Sequence, residues 1–325
     1  MTLLTRAVGA CALLSLPLAP VLAADADPYP TRAIKWIVPY LAGTGPDLTA
    51  RVLSDAMSNE LGQPIVVENR GGVGGNLGAQ LAARAAPDGY TWLYSGSPMA
   101  ASMRLYAQPG FDVMKDFVHV GGISRSDSVV LVNRASPYQT LSDLVAGLSA
   151  KPGELFYASG GVGTPSHLGA ESLLAVTQTT SSHVPYKGAS ESTNAVASDQ
   201  VSFALSLIGP ALPHIQGGRL KPLAVLSPER NRMLPEVPTT AEAGVADAVV
   251  MAYGGLSVPA GTPPAVVSRI AAALDAALQR DDVRGKLENS GLTVTPASSE
   301  AYTQLLRDEM LATQQLADKV NLPRQ

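Results

Sequence analysis

Two loops place glycines, a threonine and a proline where an apolar strand pattern gives way to a helical pattern. The first reads PYLAGTGPD at residues 39–47, and the second reads ASGGVGTPSH at residues 158–167. Each threonine is a candidate helix N-cap, and each proline falls in the first helical turn, where its missing N–H costs nothing. The unpaired N–H groups of a helix start bind anions without Lys or Arg, and glycines let a ligand approach the backbone. The pair of loops therefore predicts a site for a carboxylate.

The candidate ligand-binding residues come from these two loops and from two further segments beside helix starts. The loops contribute Tyr40, Gly43, Thr44, Gly45, Asp47, Ser159, Gly161, Gly163, Thr164, Ser166 and His167. The residues of second rank are Ser95 and Ser97, which follow a strand pattern, and Tyr186 and Gly188, which precede a helical pattern. Thr44 and Asp47 also fit a capping box, so a purely structural role is the alternative for Asp47.

The sequence offers little evidence for catalytic or cofactor-binding motifs. The four histidines are scattered without an HExxH motif, and no GxSxG elbow occurs. Ser166 and His167 are neighbours on a predicted helix, so their side chains point about 100° apart and do not form a ready dyad. The segment GGVGGN at 71–76 does not match the dinucleotide fingerprint GxGxxG, and there is no P-loop. We therefore predict no catalytic residue, metal site or cofactor, and keep a secreted enzyme as the alternative function.

The elements that must position these loops form an alternating series. Strand and helix patterns alternate from residue 34 onward, which indicates an α/β fold with mostly parallel sheets flanked by helices. Two extended segments, 124–132 and 252–258, flank a middle block with its own strands and helices. We expect two lobes, residues 24–127 plus 254–325 and residues 128–253. The two loops would then face a cleft between the lobes, and the crossover segments would act as the hinge.

Composition and the first residues indicate where the protein works. The chain has 325 residues, of which 46 % are hydrophobic and 15 % charged, so it can bury a large core. The formal net charge is −4 without a basic stripe, which disfavours nucleic acid as a partner. Residues 1–23 have the pattern of a cleaved export signal: Arg6, an apolar stretch, and Val21-Leu22-Ala23 at the cleavage site. We expect a soluble, monomeric periplasmic protein without cysteine, because Cys11 lies in the signal.

Several blocks of sequence, taken in their order along the chain, resemble those of a known family. They include YPTRAIKWIVPY (29–40), ELGQPIVVENRGGVGGNLGA (60–79), GTPSHL (163–168), HVPYKGAS (183–190) and LPEVPTTAEAG (234–244). The chain resembles the extracytoplasmic substrate-binding proteins of tripartite tricarboxylate transporters, the Bug or TctC-like family. The resemblance implies a periplasmic-binding-protein type II, or Venus flytrap, fold. It also implies that both loops grip a ligand carboxylate and that the ligand passes unchanged to membrane permease subunits.

The first loop departs from the family pattern, which resembles PFAPGGGTD. Ala42 replaces a proline, Thr44 a glycine, and Pro46 the threonine before the aspartate, which removes a hydroxyl and a backbone donor. The segment LSLIGP at 205–210 also lacks the Asp-Asn often found there. These changes suggest a ligand different from that of a typical member, among di-, tri- and monocarboxylic or aromatic acids. A ligand sensor that docks on a membrane kinase is a further alternative, because it would close on its ligand in the same way.

Overall fold

Strands and helices alternate along the described part of this computed structural model, residues 29–246 and 248–325. The predicted signal at 1–23 lies outside the described residues. The strands are β1 (Ile34–Val38), β2 (Ile65–Asn69), β3 (Thr91–Gly96), β4 (Phe117–Asn133), β5 (Phe156–Ser159), β6 (Ser182–Pro185), β7 (Phe203–Leu207), β8 (Leu220–Val225), β9 (Met251–Pro259) and β10 (Leu292–Ala297). The helices are α1 (Gly45–Leu61), α2 (Asn76–Ala83), α3 (Ser97–Leu105), α4 (Leu141–Ala150), α5 (Pro165–Thr177), α6 (Ala189–Ala197), α7 (Ile208–Gln216), α8 (Pro264–Gln279), α9 (Asp281–Asn289) and α10 (Ser299–Val320).

The long strand β4 connects two parts of the sheet. Up to Asp127 it pairs with β9 and β10, and β9 leads through β3 and β1 to β2. From Ser128 onward it pairs with β7 and β8, and β7 leads through β5 to β6. Each part is the centre of one lobe: the first lobe holds β1–β3, β9 and β10, and the second holds β5–β8. The predicted α/β, two-lobed architecture is therefore confirmed.

The sheets are mixed rather than mostly parallel, which corrects the expectation from sequence. β1 is parallel to β2 and β3, and β5 is parallel to β6 and β7. Every strand that pairs with β4 is antiparallel to it, and β9 is also antiparallel to β3. The reason is that β4 leaves the first lobe and β9 returns to it, so these two crossovers must run in opposite directions. Apolar periodicity identifies a strand but not its direction.

Helices cover both faces of each lobe, and their apolar sides form the cores. In the first lobe, α1, α8 and α9 pack on one face, and α2, α3 and α10 pack on the other. In the second lobe, α4 and α5 lie opposite α6 and α7. Trp36 and Trp92 are fully buried, and their rings meet edge to face with centroids 5.5 Å apart. Within the described residues, no helix is both long enough and apolar enough to cross a membrane.

Candidate functional site

A cavity of about 710 Å³ lies between the two lobes. The first lobe lines it with residues 39–41, 43–46 and 48, the glycine-rich segment Gly71–Gly75, and polar groups of β4 such as Ser124. The second lobe lines it with Gly160, Thr164–Ser166 and Lys187–Ser190. The beginnings of α1, α5 and α6 therefore face one shared cavity.

The first loop leads into α1 through Gly43, which has a positive φ, and Thr44. Gly43 has φ of +80°, a conformation that glycine adopts without steric cost. Thr44 is the N-cap, but its hydroxyl donates to the Leu41 carbonyl at 2.7 Å instead of capping the helix. The Asp47 carboxylate accepts from the Gly43 N–H at 2.8 Å, not from the Thr44 N–H. The predicted capping box is thus wrong: the Thr44 hydroxyl binds the carbonyl three residues before it, and the Asp47 carboxylate binds the N–H one residue before the N-cap.

The second loop repeats this geometry at the start of α5. Gly163 has φ of +78°, and Thr164 is the N-cap. The Thr164 hydroxyl donates to the Gly161 carbonyl at 2.6 Å, again three residues earlier. The Gly163 N–H donates to Nδ1 of His167 at 3.3 Å, so His167 stands where the first loop has Asp47. Two loops of different sequence therefore build the same turn.

This turn leaves the first N–H groups of both helices open. At α4, by contrast, Thr140 and Asp143 form a complete reciprocal capping box. Within residues 29–246 and 248–325, four amides at the starts of α1 and α5 have no acceptor, namely those of Gly45, Asp47, Ser166 and His167. Pro46 and Pro165 fill the remaining first-turn positions and have no N–H to satisfy. Each helix thus contributes two donors and the positive end of its dipole.

The hydroxyl protons of Thr164 and Ser166 in the second loop already form hydrogen bonds within the protein. Thr164 donates to the Gly161 carbonyl, and its oxygen lies 3.0 Å from the Ser166 hydroxyl. Ser166 must then be the donor to Thr164, and it also accepts from the Gly160 N–H at 3.0 Å. The groups left for an anion are backbone N–H groups, so the loop acts by holding its backbone in place.

Seven of the predicted site residues line the cavity. They are Tyr40, Gly43, Thr44, Gly45, Thr164, Ser166 and Gly188. Eight others are not among the residues that line it, so the structure does not place their side chains in the cavity wall, and their role in binding stays a prediction. They are Asp47, Ser95, Ser97, Ser159, Gly161, Gly163, His167 and Tyr186.

Asp47 lies behind the first loop for a clear physical reason. Its carboxylate is buried and accepts from the Gly43 N–H, from Arg51 and from the side-chain amide of Asn69. Burial alone would raise the pKa of the Asp47 carboxyl, but these hydrogen bonds outweigh burial and hold that pKa below its usual range. Asp47 is therefore an anion that fixes the loop, and a bound carboxylate would meet its backbone N–H only.

The predicted serines also serve the scaffold. Ser95 is fully buried and accepts from the Ser257 hydroxyl at 2.7 Å, while Ser97 accepts from the Tyr253 N–H at 2.9 Å. Ser159 is fully buried and pairs with Nε2 of His183 at 2.6 Å. Polar residues at strand ends were predicted to face the cleft, but the pleat directs Ser95 and Ser159 into the sheet packing, and Ser97 at the start of α3 binds the backbone of β9.

His167 belongs to a buried aromatic stack behind the second loop. Its ring stacks on that of His183 with centroids 4.5 Å apart, and His183 stacks on Tyr157 at 4.7 Å. Burial lowers the pKa of His167 to about 3, with a smaller contribution from His183, and burial lowers the pKa of His183 to about 4. Because Nδ1 of His167 accepts from Gly163, its single proton lies on Nε2. This neutral ring holds the turn rather than carrying a charge to the cavity.

Other parts of the cavity wall were missed from sequence. They are the start of α7, Met233, the turn between α9 and β10, and Tyr94. The segment Gly71–Gly75 was noticed only as a failed nucleotide motif, although its five residues all line the cavity. Its glycine spacing was the available signal. The α7 and α9 residues come from distant parts of the chain, so no local pattern identifies them.

The lobes touch each other beside the cavity. The Tyr106 hydroxyl of the first lobe donates to the Val162 carbonyl of the second at 3.4 Å. Elsewhere between the lobes, Arg232 of the second lobe pairs with Glu288 of the first at 2.6 Å. Gly209 packs so closely that an added Cβ would lie 2.6 Å from the Ser290 carbonyl oxygen. The structure therefore has the two lobes in contact around the cavity.

Comparison with known proteins places this geometry in a family. The model of the tripartite tricarboxylate transporter family receptor, TctC, matches residues 49–322. The chain is 33 % identical to BugT of Bordetella pertussis over 288 residues, which is 88 % of each chain. It is also 33 % identical over 291 residues to a protein from the tcbD-tcbE intergenic region of Pseudomonas sp. strain P51, covering 89 % of this chain and 87 % of that protein.

Solved structures agree with the fold. R. palustris Rpa4515 with adipate superposes with a TM-score of 0.86 at 29 % identity, covering 90 % of this chain and 98 % of that one. MatC from Rhodopseudomonas palustris with bound malate superposes with a TM-score of 0.83 at 29 % identity, covering 89 % and 99 %. Family match, relatives and fold together show that this chain belongs to the receptors of the tripartite tricarboxylate transporter family, as its sequence blocks suggested.

Proposed function

We propose that this protein is a periplasmic receptor that captures a carboxylate between its lobes and delivers it to the permease subunits of a tripartite tricarboxylate-type transporter. One observation carries the proposal: the starts of α1 and α5, one from each lobe, line one cavity, and within the described part of the chain the first turn of each has two backbone N–H groups without an acceptor. Each N–H to a carboxylate contributes about 1.5–3 kcal/mol net, so four together contribute about 6–12 kcal/mol towards binding. The adipate and malate in the two solved relatives are the same class of ligand.

The lobes of the proposal are residues 24–127 plus 254–325 and residues 128–253. The change of strand partners along β4, between Asp127 and Ser128, supports this division. Asp127 is buried there and accepts from the Asn231 side chain at 2.8 Å. We expect the hinge in the crossover strands β4 and β9, near 124–132 and 252–258, because only they can absorb a rotation between lobes.

The proposed receptor performs no chemistry on its ligand and works as a monomer. The histidines of the second loop are stacked and hydrogen-bonded inside the lobe, and His167 lies behind the cavity. Export through the signal at 1–23 would place the protein where a membrane permease can receive the ligand. The family's description as a transporter receptor supports this partner.

Thermal unfolding with matched pairs of ligands tests the proposal. Malate, adipate and benzoate are compared with malamide, adipamide and benzamide, which keep the shape but lose the charge. At least one acid is expected to raise Tm at saturation while its amide does not, because a ligand that binds only the folded state stabilises it. No shift with any carboxylate, or an equal shift with the amide, contradicts the proposal. Conversion of the ligand, followed by NMR, would favour the enzyme alternative.

A further inference from the structure

Away from the two loops, the cavity wall is mostly apolar. Six side chains of this wall are Leu48, Leu207, Pro210, Leu212, Met233 and Leu292. They come from both lobes, since Leu48 and Leu292 belong to the first and the others to the second. Leu212 and Leu292 are buried, but Leu48 is 43 % exposed and Leu207 and Met233 are partly exposed, so these three side chains leave apolar surface open in the cavity wall. Burying it against an apolar ligand is favourable.

Charge is confined to one part of the wall. Among the lining residues in the described part of the chain, Lys187 is the one with a permanently charged side chain. It directly precedes α6, whose start lies against the second loop: a Cβ on Gly160 would be 3.1 Å from the Ala189 nitrogen. The residue that carries the cation therefore adjoins the second loop and not the apolar wall.

The opposite wall offers neutral groups and a carbonyl oxygen. Its polar side chains are those of His214, Gln216, Asn289 and Ser290, and burial lowers the pKa of the His214 ring, which keeps that ring neutral at pH 7. The Ser290 carbonyl faces Gly209 in the first turn of α7, and the Gly291 backbone also packs on Gly209. The start of α7 is therefore covered by an acceptor, and a second carboxylate there would meet a like partial charge.

We propose that the ligand is a monocarboxylate with a bulky apolar body, such as a polycyclic aromatic or long aliphatic acid. This inference rests on the proposed function and names the class of ligand. The carboxylate lies at the open amides of α1 and α5 near Lys187, and the apolar body lies along Leu207, Leu212 and Met233. A dicarboxylate of equal length would bury its second charge against apolar side chains without a cation, which is strongly unfavourable.

Titration calorimetry on the purified protein with three matched pairs tests this inference. The pairs are benzoate and terephthalate, 2-naphthoate and naphthalene-2,6-dicarboxylate, and decanoate and decanedioate. The monocarboxylate is expected to bind at least tenfold more tightly in each pair that binds, and 2-naphthoate more tightly than benzoate. Equal or tighter binding of the dicarboxylates overturns the inference. Binding of malate or adipate but of none of the six overturns it while leaving the proposed receptor function intact, whereas no binding of any carboxylate overturns both.

A cation placed on the apolar wall gives an independent test. Met233→Lys is expected to reverse the preference within the naphthalene pair, so that the dicarboxylate binds at least threefold more tightly than 2-naphthoate. The matched control is Leu311→Lys on the exposed side of α10, which adds the same charge away from the cavity and should keep the wild-type preference. If Met233→Lys folds with an unchanged Tm and keeps the preference for 2-naphthoate, the apolar wall does not contact the ligand and the inference fails.

Discussion

Thr44 and Thr164 occupy equivalent positions in opposite lobes, and each donates its hydroxyl to the carbonyl three residues earlier, at 2.7 and 2.6 Å. Both are N-cap residues by position, but neither side chain accepts a hydrogen bond from its helix. The two hydroxyls instead close the loops so that the first amides of α1 and α5 stay open towards one cavity. An N-cap threonine usually accepts a hydrogen bond from one of these amides. Because Thr44 and Thr164 do not, the amides of each helix start remain available to an anion.

The first prediction concerns the hydroxyl of Thr164. Thr164→Ala removes the hydrogen bond to the Gly161 carbonyl, so the second loop no longer fixes its open amides. Carboxylate affinity is expected to fall about tenfold, or about 1.4 kcal/mol, with little change in Tm. Thr164→Ser keeps the hydroxyl and should keep the affinity. Equal affinities of the wild type and the alanine variant in titration calorimetry would reject the role of this hydroxyl.

The second prediction concerns space at Gly45. A Cβ added there meets nothing within 4 Å, and a Cβ in the first turn points towards the helix start, which is the cavity. Gly45→Ala is therefore expected to leave stability unchanged or slightly higher while lowering carboxylate affinity at least tenfold. Gly285→Ala inside α9 also has open space, and it should stabilise the protein by about 0.5–1 kcal/mol without changing affinity. A Gly45→Ala protein that binds like the wild type would show that the ligand does not approach this backbone.

The third prediction concerns the ion pair between lobes. Arg232 is 56 % exposed and pairs with Glu288 across the cleft, so Arg232→Gln should favour opening only modestly. Exposed ion pairs contribute about 0–1 kcal/mol, which limits the loss of affinity to about fivefold. The loss should disappear in high salt, because salt screens exposed charges. Arg280→Gln breaks a pair with Asp282 inside one lobe and is the control. A salt-independent loss for Arg232→Gln would show that this pair does not act through charge.

The fourth prediction concerns pH and the buried histidines. In the folded protein the pKa of His167 is lowered to about 3, below the ordinary value of about 6.5 in an unfolded chain. The unfolded chain therefore binds more protons between these values, so the free energy of unfolding is highest above pH 6.5 and falls as the pH decreases. His167 should account for about 2 kcal/mol of the loss between pH 7 and pH 5.

Urea unfolding of the wild type and of His167→Gln at both pH values measures this effect. Gln keeps an acceptor for the Gly163 N–H but does not titrate, so the variant should lose about 2 kcal/mol less than the wild type. Titration of His183, whose pKa is lowered to about 4, remains in both proteins. An identical loss in the two proteins would mean that His167 is not held neutral by burial.

The sequence predicted the two helix starts that face the cavity because their signals are local. Glycines, a threonine and a proline at a strand-to-helix junction indicate a helix start with open amides, whatever surrounds it. The direction in which an individual side chain points was harder to predict from sequence. Ser95 and Ser159 were predicted to line the cleft, although both are fully buried. A strand alternates its side chains between two faces, and only the packed partners decide which face is buried.

The apolar wall was not predictable in the same way. Leu212 and Leu292 are distant in sequence, and each lies in an element with ordinary apolar spacing. They share a wall only because the crossover strands bring α7 against the turn before β10. The capping box at Thr44 was wrongly predicted for a related reason. The motif shows which side chains could form hydrogen bonds at the helix start, but the backbone conformation of Gly43 determines which N–H the Asp47 carboxylate reaches.

A crystal structure of the protein with a bound carboxylate tests the central claim most directly, and 2-naphthoate is the ligand of choice. We predict that its carboxylate oxygens lie within hydrogen-bonding distance of the open amides of both loops, Gly45 or Asp47 on one side and Ser166 or His167 on the other. A carboxylate bound by one lobe alone, or located outside the cavity between the loops, would contradict the claim that two opposed helix starts hold the ligand.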